Sequence, residues 1–168
     1  IRNNAIIFDF MIRDMNGDGI DDLVHGSPDL SDLGLGNLGS NEVFVLYGPF
    51  TVDDDVLRQS SVLRIVAPAD AFLFGLAMTA ADFTGDGVID MVLSTDFDER
   101  ALLPGPFGIG APTAGSSRQP ILTQIEGDGI YFGLAAADVD LDGVLDLVAP
   151  DTSFDVNNDD TSEGLVTV

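Results

Sequence analysis

The sequence predicts an all-β protein of about three four-stranded antiparallel units, the last of them incomplete. The first observation behind this is an internal repeat. An Asp-rich nonapeptide recurs at 14–22, 82–90 and 138–146, followed by Leu23-Val24, Met91-Val92 and Leu147-Val148. The second is the character of the segments between. They are short, β-branched or aromatic, and bounded by Gly, Pro, Asp or Ser, and no helical period is sustained over about 11 residues.

The nonapeptides start at 14, 82 and 138, a spacing that suits a four-stranded sheet unit with loops of variable length. The first unit, about 1–70, is expected to hold strands near 5–13, 20–26, 42–48 and 61–67. The second, about 71–128, has them near 74–82, 88–94, 100–103 and 120–126. The third, about 129–168, has them near 131–138, 144–149 and 164–168, one strand short. The units together make a single domain, 1–168. Phe74 to Ala81 is Ala-rich enough for a short helix. Its kinship with the segment from Phe132 (Phe-Gly-Leu-Ala in both) assigns it to a buried strand instead. Pro104 to Ser117 reads as a long loop, and Asp151 to Glu163 as an acidic one.

A chain of 168 residues with 45% apolar content can bury a real core. Its 29 acids stand against six Arg and no Lys, a net charge of −23. That balance repels nucleic acid and anionic lipid and favours cations or basic surfaces as partners. No apolar run reaches the ~18 residues of a membrane span. The absence of Cys excludes disulfides, thiol chemistry and Cys-type zinc sites, leaving calcium as the obvious stabilising cross-link. A lone His25 cannot build a multi-His site, and it reads as a strand-end residue. No signal peptide is visible, and the chain opens with Ile1 rather than Met, as a processed or excised product would.

The nonapeptides carry the chemistry. Calcium takes six to eight oxygens, and a tight loop supplies them from side chains at positions 1, 3 and 5, a carbonyl at 7 and a closing carboxylate. Here positions 1, 3, 5, 7 and 9 are Asp14, Asn16, Asp18, Ile20 and Asp22. In the second loop they are Asp82, Thr84, Asp86, Val88 and Asp90, and in the third Asp138, Asp140, Asp142, Val144 and Asp146. Position 6 is Gly19, Gly87 or Gly143, where the chain must turn sharply. Position 7 is expected to send its side chain to the core and its carbonyl to the ion. An EF-hand would need Glu at position 12 between helices; His25, Leu93 and Ala149 stand there, and the flanks read as strands. About three calcium ions are expected. The third site, with four carboxylates, should be the tightest, and the second, with Thr84, the weakest.

These residues resemble the FG-GAP repeat of the integrin-alpha-type β-propeller. The likeness rests on Phe74-Gly75 and Phe132-Gly133, the three Asp loops, Gly26-Ser27-Pro28 in the Gly-Ala-Pro position, and Val43 to Gly48 as a strand ending in Tyr-Gly. The first unit departs with Phe8-Asp9 for Phe-Gly, the third has a shortened interval before its loop, and the second lacks Gly-Ala-Pro. The resemblance implies propeller-like blades, calcium between the first two strands of each, an extracellular or cell-surface location, and an adhesive or scaffolding role.

Closed propellers have about four to eight blades, so three leave exposed faces and edges. The expected partners are therefore copies of the chain, with residues 1–7 as a possible donor strand in a head-to-tail filament or ring. The alternative is a piece of a larger FG-GAP propeller that binds an extracellular protein or glycan. An enzyme is not expected. Paired Asp residues could form a glycosidase dyad, but a pair repeated three times suits a structural repeat better than one active site.

Overall fold

The computed structural model describes residues 9–31, 39–50, 62–68, 71–96, 99–107, 117–118, 123–126, 133–151 and 165–167. The possible donor strand, 1–7, lies outside them. The described residues hold strands and turns but no α-helix, and no helix long and apolar enough to cross a membrane.

Three sheets form in chain order. The first contains β1 (Phe10–Arg13), β2 (Asp22–Ser27), β3 (Glu42–Leu46) and β4 (Val62–Val66), all antiparallel. The second contains β5 (Met78–Ala81), β6 (Asp90–Ser94), β7 (Glu99–Leu103) and β9 (Thr123–Glu126). The third contains β10 (Ala135–Ala137), β11 (Asp146–Asp151) and β12 (Leu165–Thr167). One strand breaks this order. β8 (Ser117–Arg118), which begins at the last residue of the expected loop 104–117, pairs parallel with Arg64 and Ile65 of β4 and makes the first sheet five-stranded.

The register between the first two strands is the same in all three sheets. The residue before each loop pairs with the loop's ninth: Arg13 with Asp22, Ala81 with Asp90, Ala137 with Asp146. Side chains alternate across a strand, so equal register gives equal facing. One face of the first sheet, with Val24, Val45 and Leu63, packs on the face of the second that carries Met78, Met91, Leu93 and Leu103. All five residues of β6 are buried, as expected of a strand covered on both faces. β5 lies beside both β1 and β10, and an open cavity of about 350 Å³ is lined by β1, β5 and the Gly133–Leu134 segment before β10.

The expected strand 74–82 is shorter, because residues 72–77 form turns. Gly75 takes φ +78°, the Leu76 N–H donates to the Leu73 carbonyl at 2.9 Å, and the Ser94 hydroxyl bonds both Leu73 O and Ala77 N. Gly75 also meets Gly26 so closely that a Cβ on Gly26 would lie 1.9 Å from the Gly75 carbonyl oxygen. Asp9, whose counterparts in register are Ala77 and Gly133, adds a tie between sheets. Its carboxylate accepts the Met78 N–H at 2.8 Å, and its carbonyl accepts that of Gly26.

Gly26→Ala should therefore force two backbone segments apart and cost about 1–3 kcal/mol or more. Urea unfolding should show a lower midpoint with the slope unchanged.

Candidate metal centre

Each Asp loop joins the first strand of its sheet to the second, and the loops are wired alike. The position 1 carboxylate folds the loop over itself. Asp14, Asp82 and Asp138 each accept the N–H of position 5 on Oδ1 at 3.0–3.1 Å and that of position 6 on Oδ2 at 2.8–3.0 Å. Position 5 then accepts the N–H of position 7 at 2.8 Å in all three. Position 6 needs glycine, since Gly19, Gly87 and Gly143 hold φ between +84° and +91°.

The ninth residue closes the loop. Asp22 Oδ2 accepts the Met15 N–H at 3.0 Å, Asp90 Oδ2 that of Phe83 at 3.1 Å, and Asp146 Oδ2 that of Val139 at 2.9 Å. Asp22 and Asp90 are fully buried, and each extends its other oxygen to a second turn. Asp22 Oδ1 accepts from Gly48 N at 3.0 Å, and Asp90 Oδ1 from Gly105 N at 2.9 Å. These two glycines went unnoticed as part of the site. The repeated Gly-Pro-Phe at 48–50 and 105–107 is the signal that marks them. A Cβ on either would meet the carbonyl oxygen of Asp21 or Ile89 at 2.5 Å.

Position 7 does not send its side chain to the core. Ile20 and Val144 are exposed and Val88 is half-buried. Ile20 and Val88 lie over Gly48 and Gly105, whose missing side chains leave room for them.

The third loop alone, among the described residues, gathers three acids. One carboxylate oxygen from each of Asp138, Asp140 and Asp146 lies within 4.8 Å of the others. The first and second loops have Asn16 and Thr84 where the third has Asp140. Asn16 is already engaged with Asp18, donating to its Oδ2 at 3.0 Å and accepting its N–H at 2.8 Å. Among the described residues no basic side chain pairs with a loop carboxylate. Three carboxylate oxygens at that separation could hold a metal ion. Burial raises the Asp22 carboxyl above its ordinary 3.8, against the lowering effect of its two backbone donors.

His25 takes no part. It is buried in β2, stacked on Phe44 with ring centroids 4.9 Å apart, and its Nδ1 has no hydrogen-bond partner among the described residues. Burial holds it below 6.5. The folded state therefore binds its proton less readily than the unfolded chain, so this contribution is full above pH 6.5 and is lost as pH falls below it. Asp22 acts oppositely: the metal-free fold gains stability as pH falls through the raised carboxyl value towards 3.8.

Two outcomes are expected in chelator. Asp22→Asn should cost about 1–3 kcal/mol, because an amide can accept on only one side and leaves a buried N–H unpaired. The exposed Asp86→Asn, whose one backbone bond survives, should stay within about 0.5 kcal/mol in the same urea titration. His25→Leu, matching Leu93 in the second unit, should abolish the loss of thermal stability between pH 6.5 and 5. In comparisons with known proteins, no family model and no curated sequence matches this chain.

Proposed function

We propose that the chain is a calcium-binding structural module of an extracellular or cell-surface setting, which acts by associating with copies of itself and has no catalytic role. The observation that carries this is the Asp138, Asp140 and Asp146 cluster, set in a loop plan that recurs in all three sheets.

Each loop links neighbouring strands, so an ion held there stiffens the link between them. Its ligands would be the side chains at positions 1, 3, 5 and 9 and the carbonyl at 7. The charge gives a further reason for cations. Three doubly charged ions would bring −23 to −17 and relieve repulsion among the loop acids. Magnesium suits these loops less well, because it retains several waters and takes few carboxylates. The blade reading belongs to the same proposal. It is supported by three sheets in chain order with equal register and by first strands that lie side by side.

Thermal unfolding and calorimetric titration with calcium alone test the proposal. A site filled to 100 times its Kd adds about 2.7 kcal/mol of stability. Asp140→Asn should weaken the tightest binding step at least tenfold, and chelator should lower the unfolding temperature of the parent protein. Equal stability in chelator and in millimolar calcium, with no heat of binding, would falsify the metal reading.

A further inference from the structure

In a chain with 29 acids and six arginines, an arginine without a carboxylate partner is the exception. Arg13, the last residue of β1, is half-buried, and among the described residues it has no ion pair and no hydrogen-bond partner. It lines the open cavity of about 350 Å³ beside β1 and β5. Asp9 lines the same cavity from the other end of the strand. Its Oδ2 accepts the Met78 N–H at 2.8 Å, which turns the carboxylate toward β5, and its Oδ1 has no hydrogen-bond partner among the described residues. Met11 stands between the two on the same side of the strand, since alternate residues share a face. Met78, Thr79 and Leu134 supply the other walls.

The cavity thus has an acid at one end, a guanidinium at the other and mostly apolar side chains between them. Its volume is that of a small-molecule site at the lower end of the usual range. Net charge decides between ligand classes. A simple organic anion would meet Arg13 but is repelled by a protein of net charge −23. An organic cation would meet Asp9 and leave the guanidinium facing like charge. A zwitterion satisfies both ends and carries no net charge to be repelled. We propose that this cavity binds a short linear peptide with free termini, its ammonium on Asp9 and its carboxylate on Arg13. Asp9 and Arg13 are four steps apart, about 13 Å along an extended chain. A tripeptide extends about 10 Å, and the reach of the two side chains covers the remainder. The paired N–H donors of the guanidinium fit a carboxylate and set the direction of the ligand. The site uses none of the loop carboxylates, so it goes beyond the structural reading proposed above and needs no ion.

The probe is the tripeptide Gly-Leu-Gly with free termini, titrated into the protein in chelator beside its N-acetyl and C-amide forms. Binding is read from the methionine methyl resonances. The free tripeptide should move those of Met11 and Met78, which line the cavity, in a saturable way and leave that of the core residue Met91 in place. Either blocked form should bind at least tenfold more weakly. Arg13→Gln should weaken the free tripeptide at least tenfold and erase its advantage over the amide, with the urea midpoint unchanged. Asp9→Asn, which keeps an acceptor for the Met78 N–H, should erase the advantage over the N-acetyl form. Absence of saturable shifts with the free tripeptide overturns the inference. Equal affinity for the N-acetyl form overturns it in favour of an anion site, and equal affinity for the amide in favour of a cation site. A failed metal reading appears separately, as stability indifferent to calcium, and leaves the peptide titration unchanged.

Discussion

A buried carboxylate that accepts backbone N–H groups from two turns at once is the constraint on which the described architecture depends. Asp22 holds Met15 on one side and Gly48 on the other, and Asp90 holds Phe83 and Gly105. Each therefore fixes the entry of the second strand against both the loop before it and the turn after the third strand. A carboxylate suits this place because both of its oxygens only accept. Burying it is unfavourable without those bonds, and the raised Asp22 value shows that the cost is only partly offset. The same group is among the proposed ligands of the loop, so the metal proposal and the stability of the fold converge on one residue.

Loop and sheet are coupled by that arrangement. Position 1 shapes the loop, position 9 anchors it, and the equal register of the three strand pairs follows from loops of equal length and wiring. Differences among the units then come from what fills each position. Asp140 adds a carboxylate where Asn16 and Thr84 do not, and Asp9 supplies a tie between sheets where the other units have Ala77 and Gly133. Packing follows the same logic, since identical facing lets the first sheet lie on the second.

Much of this was readable from residues. The nonapeptides located the loops, their spacing located the three sheets, and β2, β3, β4, β6 and β7 overlap the strands expected near 20–26, 42–48, 61–67, 88–94 and 100–103. The acid-rich character of the third loop followed from Asp140 alone. What escaped depends on contacts distant in sequence. Ser117 and Arg118 reach β4 across about fifty residues, which no local pattern encodes. The turns at 72–77 depend on Ser94 from another strand and on the backbone of Gly75. Ile20 and Val88 look like core residues by composition. They are held outside because Gly48 and Gly105 leave open ground beneath them, and each glycine belongs to a different strand connection.

The double-sided burial of β6 has a dynamic consequence. The same double-sided burial holds in the middle of β2 and β3, where Val24, His25, Val45 and Leu46 are buried on opposite faces. An amide in Met91, Val92 or Leu93 needs both neighbouring layers to separate. Deuterium uptake should therefore be slow in β2, β3 and β6 alike and fastest in β1 and β10, whose residues are exposed or half-buried.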